Sequence, residues 1–122
     1  MLGIDYGKSK LGLAIAESFL ASPLKVIKKV DEKKLIKIIK QERIEKIIVG
    51  VSEGEMAKES KKFAHNLSKK VNVPIEFEDE TLSTQDAQRL SQEAGIKRSK
   101  RKRLEDAYSA ALILQSYLDK LV

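Results

Sequence analysis

Three acidic residues in this chain stand where a carboxylate is costly unless a cation balances it. Asp5 ends an apolar strand, Glu80 ends another, and Asp106 opens an apolar helix. Carboxylate oxygens are hard donors, so the cation they imply is Mg2+ or Mn2+. Two such ions about 3.5–4 Å apart can align a water and offset charge on a phosphoryl group, and several carboxylates are needed to hold them. The expected site has Asp5 as anchor, with Glu80 and Asp106 completing the ligand set, and its chemistry is phosphodiester hydrolysis. Each acid also has an ordinary reading. Asp5 can simply end a strand at a turn. Asp79 rivals Glu80, because adjacent strand residues face opposite ways. Asp106 can complement the positive end of its helix, a task Glu105 can share. Asp86, three residues after Ser83, reads as a capping-box variant.

The formal charge of +6 is concentrated in one place. Lys97, Arg98, Lys100, Arg101, Lys102 and Arg103 supply six positive charges with no acid among them, so the other 115 residues are neutral overall. Cations placed on a phosphate backbone release condensed counterions and strengthen binding at low salt. Taken alone the run is equally a solvated loop. Its place just before Asp106 favours a role in guiding nucleic acid. His65, the single histidine, lies on a predicted amphipathic helix with no sequence neighbour to make it a general base, and is expected at the surface. Tyr6 is expected to pack beside its strand end rather than stack on a base, and Phe19, Phe63 and Phe77 read as core.

The elements that must position these groups fit one domain, residues 1–122. No apolar run reaches the roughly 18 residues of a membrane span, and Met1 to Asp5 lacks the basic start of a signal peptide. A cytoplasmic protein is expected. The absence of cysteine excludes a disulfide framework, a thiolate zinc site and a cysteine nucleophile. Leu2 to Asp5 and Leu11 to Ala16 read as a hairpin turning at Tyr6 to Lys10. A third strand runs over Leu24 to Val30, with lysines on one wet face. Asp31 is placed to cap a helix that points Leu35, Ile36, Ile39 and Ile44 inward. Lys46 to Val51 reads as a strand buried on both faces. A helix over Glu55 to Val71 follows, then a strand from Pro74 to Glu78. A helix capped by Ser83 or Thr84 is expected to end at Gly95. Last comes an apolar stripe of Leu104, Ala107, Ala111, Leu114, Leu118 and Leu121. This order implies an α/β fold, a five-stranded mixed sheet with an antiparallel hairpin meander and parallel strands, flanked by helices. Sites in such sheets gather at the carboxyl ends of strands.

Gly3-Ile4-Asp5-Tyr6-Gly7 with Gly12-Leu13-Ala14, then Ile48-Val49-Gly50, Asp79-Glu80 with Leu82-Ser83-Thr84, and Asp106-Ala107 with Ala110 to Gln115 resemble the YqgF family. That family is described both as Holliday junction resolvases and as pre-16S ribosomal RNA nucleases, within the ribonuclease H-like superfamily. The motifs occur in the family's order and span residues 3 to 118. The resemblance implies a ribonuclease H-like fold, an acidic triad of Asp5, Glu80 and Asp106, and a basic loop at Lys8 to Lys10 against nucleic acid. Two departures stand out: Thr81 occupies a position where the family usually has arginine, and Gly50 to Gly54 replaces a longer glycine-rich loop.

The expected function is a metal-dependent nuclease on structured nucleic acid, with precursor 16S ribosomal RNA as the favoured substrate and branched DNA as the runner-up. A junction resolvase requires two symmetric active sites and hence a homodimer. A non-catalytic nucleic-acid-binding module is a second class. An actin-like nucleotide-binding domain, to which Asp5-Tyr6-Gly7 and Gly12 also bear a resemblance, is a distant third, since such proteins use two domains.

Overall fold

The computed structural model describes the backbone of residues 1–79 and 98–121, and the side chains of all of these except 98–103. Five strands form one sheet: β1 (Leu2–Tyr6), β2 (Lys10–Ile15), β3 (Ser22–Lys28), β4 (Ile47–Val51) and β5 (Ile75–Asp79). Their order is β3-β2-β1-β4-β5, antiparallel from β1 through β2 to β3 and parallel from β1 through β4 to β5. The hairpin turn closes where the Gly7 N–H donates to the Lys10 carbonyl at 3.0 Å. Register shifts between Leu13 and Ala14, where edge strand β3 presents Pro23, a residue with no N–H to lose from a ladder.

Three described helices complete the layers: α1 (Glu32–Gln41), α2 (Glu55–Ser68) and α3 (Arg98–Lys120). Strand alternation sorts the sheet into two faces. One face sends Leu2, Ile4, Leu11, Leu13, Ile47 and Val49 into a core shared with Leu35, Ile38 and Ile39 of α1 and Ala64 and Leu67 of α2. The other presents Ala14, Ala16 and Ile48 to Ala110, Ala111, Ile113, Leu114 and Leu118 of α3. Alanines make up half of that second layer for a steric reason. A methyl group on Gly3 would lie 2.8 Å from Leu114 Cβ and 2.9 Å from the Ala110 carbonyl oxygen. The backbone of α3 therefore rests almost directly on the sheet.

Polar contacts fix the rest of α3. The Gln115 side-chain oxygen accepts from the Ala21 N–H at 2.9 Å, while its amide donates to the Phe19 carbonyl and to Asp119, each at 2.9 Å. Farther along, the Tyr117 hydroxyl donates to Glu76 at 2.6 Å, Lys46 pairs with Glu76 at 2.6 Å, and Lys120 donates to the buried Glu78 at 2.5 Å. The mutual attraction of Lys46 and Glu76, through their hydrogen bond, raises the lysine pKa and lowers the glutamate's.

Several expectations are corrected. The last helix begins by Arg98, so Asp106 lies at least two turns inside it and does not open it. Phe19 and Phe77 are 62% and 44% exposed, leaving only Phe63 packed against the core. Leu121 is exposed, whereas Ala110 and Ile113 are buried. Asp31 precedes α1 without a side-chain capping bond, and Ile38 is buried in addition to the expected residues, with Ile36 partly buried against the same core. The helix expected over residues 83–95 lies outside the described residues.

Candidate metal and nucleic-acid site

Asp5 and Gly12 are direct partners in the β1–β2 ladder, so they face the same side of the sheet. That side is the one α3 covers. A methyl group on Gly12 would lie 1.9 Å from the Asp106 carbonyl oxygen and 2.9 Å from its Cβ. The absence of a side chain at Gly12 thus lets the helix settle where Asp106 stands beside the residue opposite Asp5. Asp106, from the far end of the sequence, is thereby set against the ladder partner of Asp5 at the carboxyl end of the central strand. This setting leaves no place for the helix-dipole reading of Asp106, which needs the first turn.

Asp106 carries the electrostatic mark of the site. Burial raises its pKa above the ordinary value for an aspartate, Glu105 raises it further, and Lys10 opposes both. A carboxylate disfavoured as an anion, set against the ladder partner of Asp5 and offering oxygen donors, fits a hard divalent cation. The described residues contain no cluster of three such ligands, and Glu80 lies outside them. Asp79 is described. It shares the parity of Ile75 and Phe77, which line a cavity with Ala64 and His65 of α2, so it lies on the face away from Asp5. Glu78, partnered with Gly50, lies on the α3 face. His65 is exposed, as expected.

A raised folded-state pKa makes a definite prediction. Between the ordinary value and the raised one the folded state binds the proton more readily than the unfolded state, so stability falls as pH rises through that window. At neutral pH without metal, ionised Asp106 therefore costs stability. Asp106→Asn should melt at a higher temperature than wild type in EDTA at pH 7.5, and the gap should narrow as pH falls towards the raised value. Melting curves that coincide at both pH values would show that the site carries no such cost.

Lysines border the acids. Lys10 is exposed and close enough to act on Asp106, and Lys8 is exposed in the same hairpin. Lys28, absent from the sequence-based candidates, is the direct ladder partner of Lys10. Like charges directly opposite one another weaken a sheet, and an anionic ligand over this face would relieve them. The lysine alternation in β3 signals a wet face, but not its register against Lys10. Arg98, Lys100, Arg101, Lys102 and Arg103 form the first turns of α3, on the same helix and upstream of Asp106. Lys97 lies outside the described residues. Tyr6 is buried, with Phe63 at 5.1 Å between ring centroids and Lys29 over its ring at 4.3 Å, which bears out packing rather than base stacking.

A mixed sheet of order β3-β2-β1-β4-β5 with helices on both faces is a fold of the ribonuclease H-like class. Two solved structures share the fold. T. thermophilus RuvC in complex with a Holliday junction substrate superposes with a TM-score of 0.62 at 18% identity, covering 98% of this chain and 94% of that one. Fowlpox virus resolvase with its substrate Holliday junction DNA gives a TM-score of 0.62 at 15% identity, covering 100% and 99%. The chain belongs to the RuvX family of Holliday junction resolvases, whose model matches residues 1–120. Relatives named "Putative pre-16S rRNA nuclease" include one from Streptococcus agalactiae serotype III (strain NEM316), 33% identical over 99% of this chain and 98% of its own length. Another, from Rickettsia peacockii (strain Rustic), is 34% identical over 99% and 86%.

Proposed function

We propose that this chain is a metal-dependent endonuclease that hydrolyses phosphodiester bonds in structured nucleic acid, with the 5′ end of precursor 16S ribosomal RNA as its substrate. The observation that carries the reading is the packing of Asp106 on Gly12, the ladder partner of Asp5, in a chain of this family. Asp5, Asp106 and Glu80 would hold Mg2+ or Mn2+. Asp79 lies on the face away from Asp5, which counts against it as a rival to Glu80 for that role. When bound, the metal would supply Lewis-acid stabilisation of the phosphoryl oxygens and a more acidic water. Water oxygen bonds to phosphorus as the bond to the leaving sugar oxygen breaks. Lys10 and Lys28 would hold the phosphate backbone over the acids. The basic residues from Lys97 to Arg103 would draw nucleic acid towards that end of α3. The family match over residues 1–120 supports a single domain, and a ribosomal substrate implies a cytoplasmic protein. Among the described residues no helix is long and apolar enough to cross a membrane.

A second reading, cleavage of branched DNA by a homodimer, is favoured by the junction-bound neighbours. The test sets a precursor ribosomal RNA end beside a synthetic four-way DNA junction, each with Mg2+, Mn2+ or EDTA. Metal-dependent cutting of the RNA alone supports the first reading, and cutting of the junction alone supports the second. Cutting of neither, with tight binding retained, would make the chain a binding module. Replacing Lys100, Arg101, Lys102 and Arg103 with glutamine should weaken binding and flatten its salt dependence, by roughly 0.7–0.9 in slope for each phosphate no longer neutralised. A salt slope equal to wild type would reduce the run to a solubilising segment.

A further inference from the structure

The face of the sheet opposite the carboxylates carries a groove that the proposed cleavage does not use. It has a volume of about 410 Å3 and lies between the carboxyl end of β1, the turn after β3 and one side of α2, a size in the range of small-ligand sites. Tyr6 and Phe63 form its floor, their rings tilted at 42°. Lys29 takes up the face of the buried Tyr6 ring, which leaves Phe63 as the aromatic surface. Along α2 and its C-cap, Lys62, Phe63, Asn66 and Lys69 fall at helical spacing on one stripe beside the core residues Ala64 and Leu67.

The charge of the lining is uneven. Lys29, Lys62, Lys69 and Lys70 face only Glu32 and Glu59, a net charge of +2. Lys70 is paired with Glu32 at 2.9 Å, while Lys62 and Lys69 make no ion pair with a described residue. The helix dipole accounts for lysines at the end of α2. It does not account for Lys62, nearly two turns earlier, or for Lys29 on a different element. Cations around an aromatic surface, with an amide beside it, are the features by which proteins hold a nucleotide: phosphate on the cations, base against the ring.

We infer that this groove binds a nucleotide unit, with phosphate on Lys62 and Lys69, the base against Phe63, and Asn66 hydrogen-bonding to the base edge. The inference rests on the nucleic-acid reading above for the class of ligand. Its connection to the acidic site is direct in the chain: Tyr6 follows Asp5, and the Lys29 N–H donates to the Ser9 carbonyl at 2.9 Å, tying the groove to the Lys8 to Lys10 hairpin. A single strand leaving the carboxylates over that hairpin meets this groove as its next cationic surface. A free nucleotide has the same chemistry.

The test measures affinity, not cleavage, so its outcome is separable from that of the nuclease reading. In EDTA and an Asp5→Asn background, binding of a labelled 5′-phosphorylated 12-nucleotide RNA single strand and of AMP is compared with and without Lys62→Gln/Lys69→Gln. The expected result is about tenfold weaker strand binding, with a salt slope lower by about 1.4, because two phosphates go without their cations. Phe63→Leu, which keeps an apolar side chain against the core, should weaken binding at least about fivefold and leave the slope unchanged. Loss of strand binding alone identifies a strand as the source, and loss of AMP binding identifies free nucleotide. Affinities and slopes equal to those of the background for both ligands, with circular dichroism unchanged, would overturn the inference.

Discussion

Asp5→Asn should abolish metal-dependent cleavage while the protein folds and binds nucleic acid much as before. Asparagine matches aspartate in shape but carries no charge, so the change removes the central anchor of the proposed cation site without opening a cavity. Losing one preorganised electrostatic contact typically costs about 10²–10³ in rate, and an anchor that positions the cation itself should cost at least that much. The melting temperature and the affinity for an uncut strand serve as controls. An Asp5→Asn enzyme with full activity in Mg2+ would remove the mechanism. A variant that neither cuts nor folds would show that Asp5 is a structural residue, a result that Asp106→Asn, expected to be stabilised in EDTA, would help to separate.

The second large effect comes from a residue with no side chain. In Gly12→Ala the new methyl group would lie 1.9 Å from the Asp106 carbonyl oxygen. Both partners are fixed to the backbone, so no rotamer change relieves the clash and α3 must lift from the sheet. Overpacking of this kind costs about 3 kcal/mol, which lowers Tm by roughly 10 °C for a chain of this size. Cleavage should fall further than stability explains at temperatures where the variant is still folded, because the same shift lifts Asp106 from the ladder partner of Asp5. Gly54→Ala is the control. Gly54 has φ +70° and ψ −142°, but a methyl group there would meet nothing within 4 Å, so alanine should cost about 1–3 kcal/mol of backbone strain and leave cleavage intact. Wild-type activity and stability in Gly12→Ala would mean that close packing at Gly12 does not build the site.

How the acids come together is only partly legible in the sequence. Strand alternation and buried β-branched runs make β1, β2 and β4 plain, because period-two burial is written locally in residue types. The basic run and the separate acids are equally plain. Helical limits are less so: charged residues from Arg98 to Arg103 carry no apolar period, so the start of α3 is hidden and Asp106 looks like a first-turn residue. Phe19 and Phe77 show the converse error, since an aromatic residue type does not say whether neighbouring elements cover it.

The order of the described elements, the mixed sheet, the candidate acids and the basic run are all legible in residue type and local spacing. Only the tertiary structure decided which groups meet. Register set Asp5 opposite Gly12 and Lys10 opposite Lys28, and strand parity put Asp79 on the far face. Close packing of α3 on Gly12 then set Asp106 against the residue opposite Asp5. These are contacts between residues as many as 94 positions apart, and no local pattern records them, because a one-residue slip of register changes the face of every side chain while leaving each strand's own sequence signal unchanged.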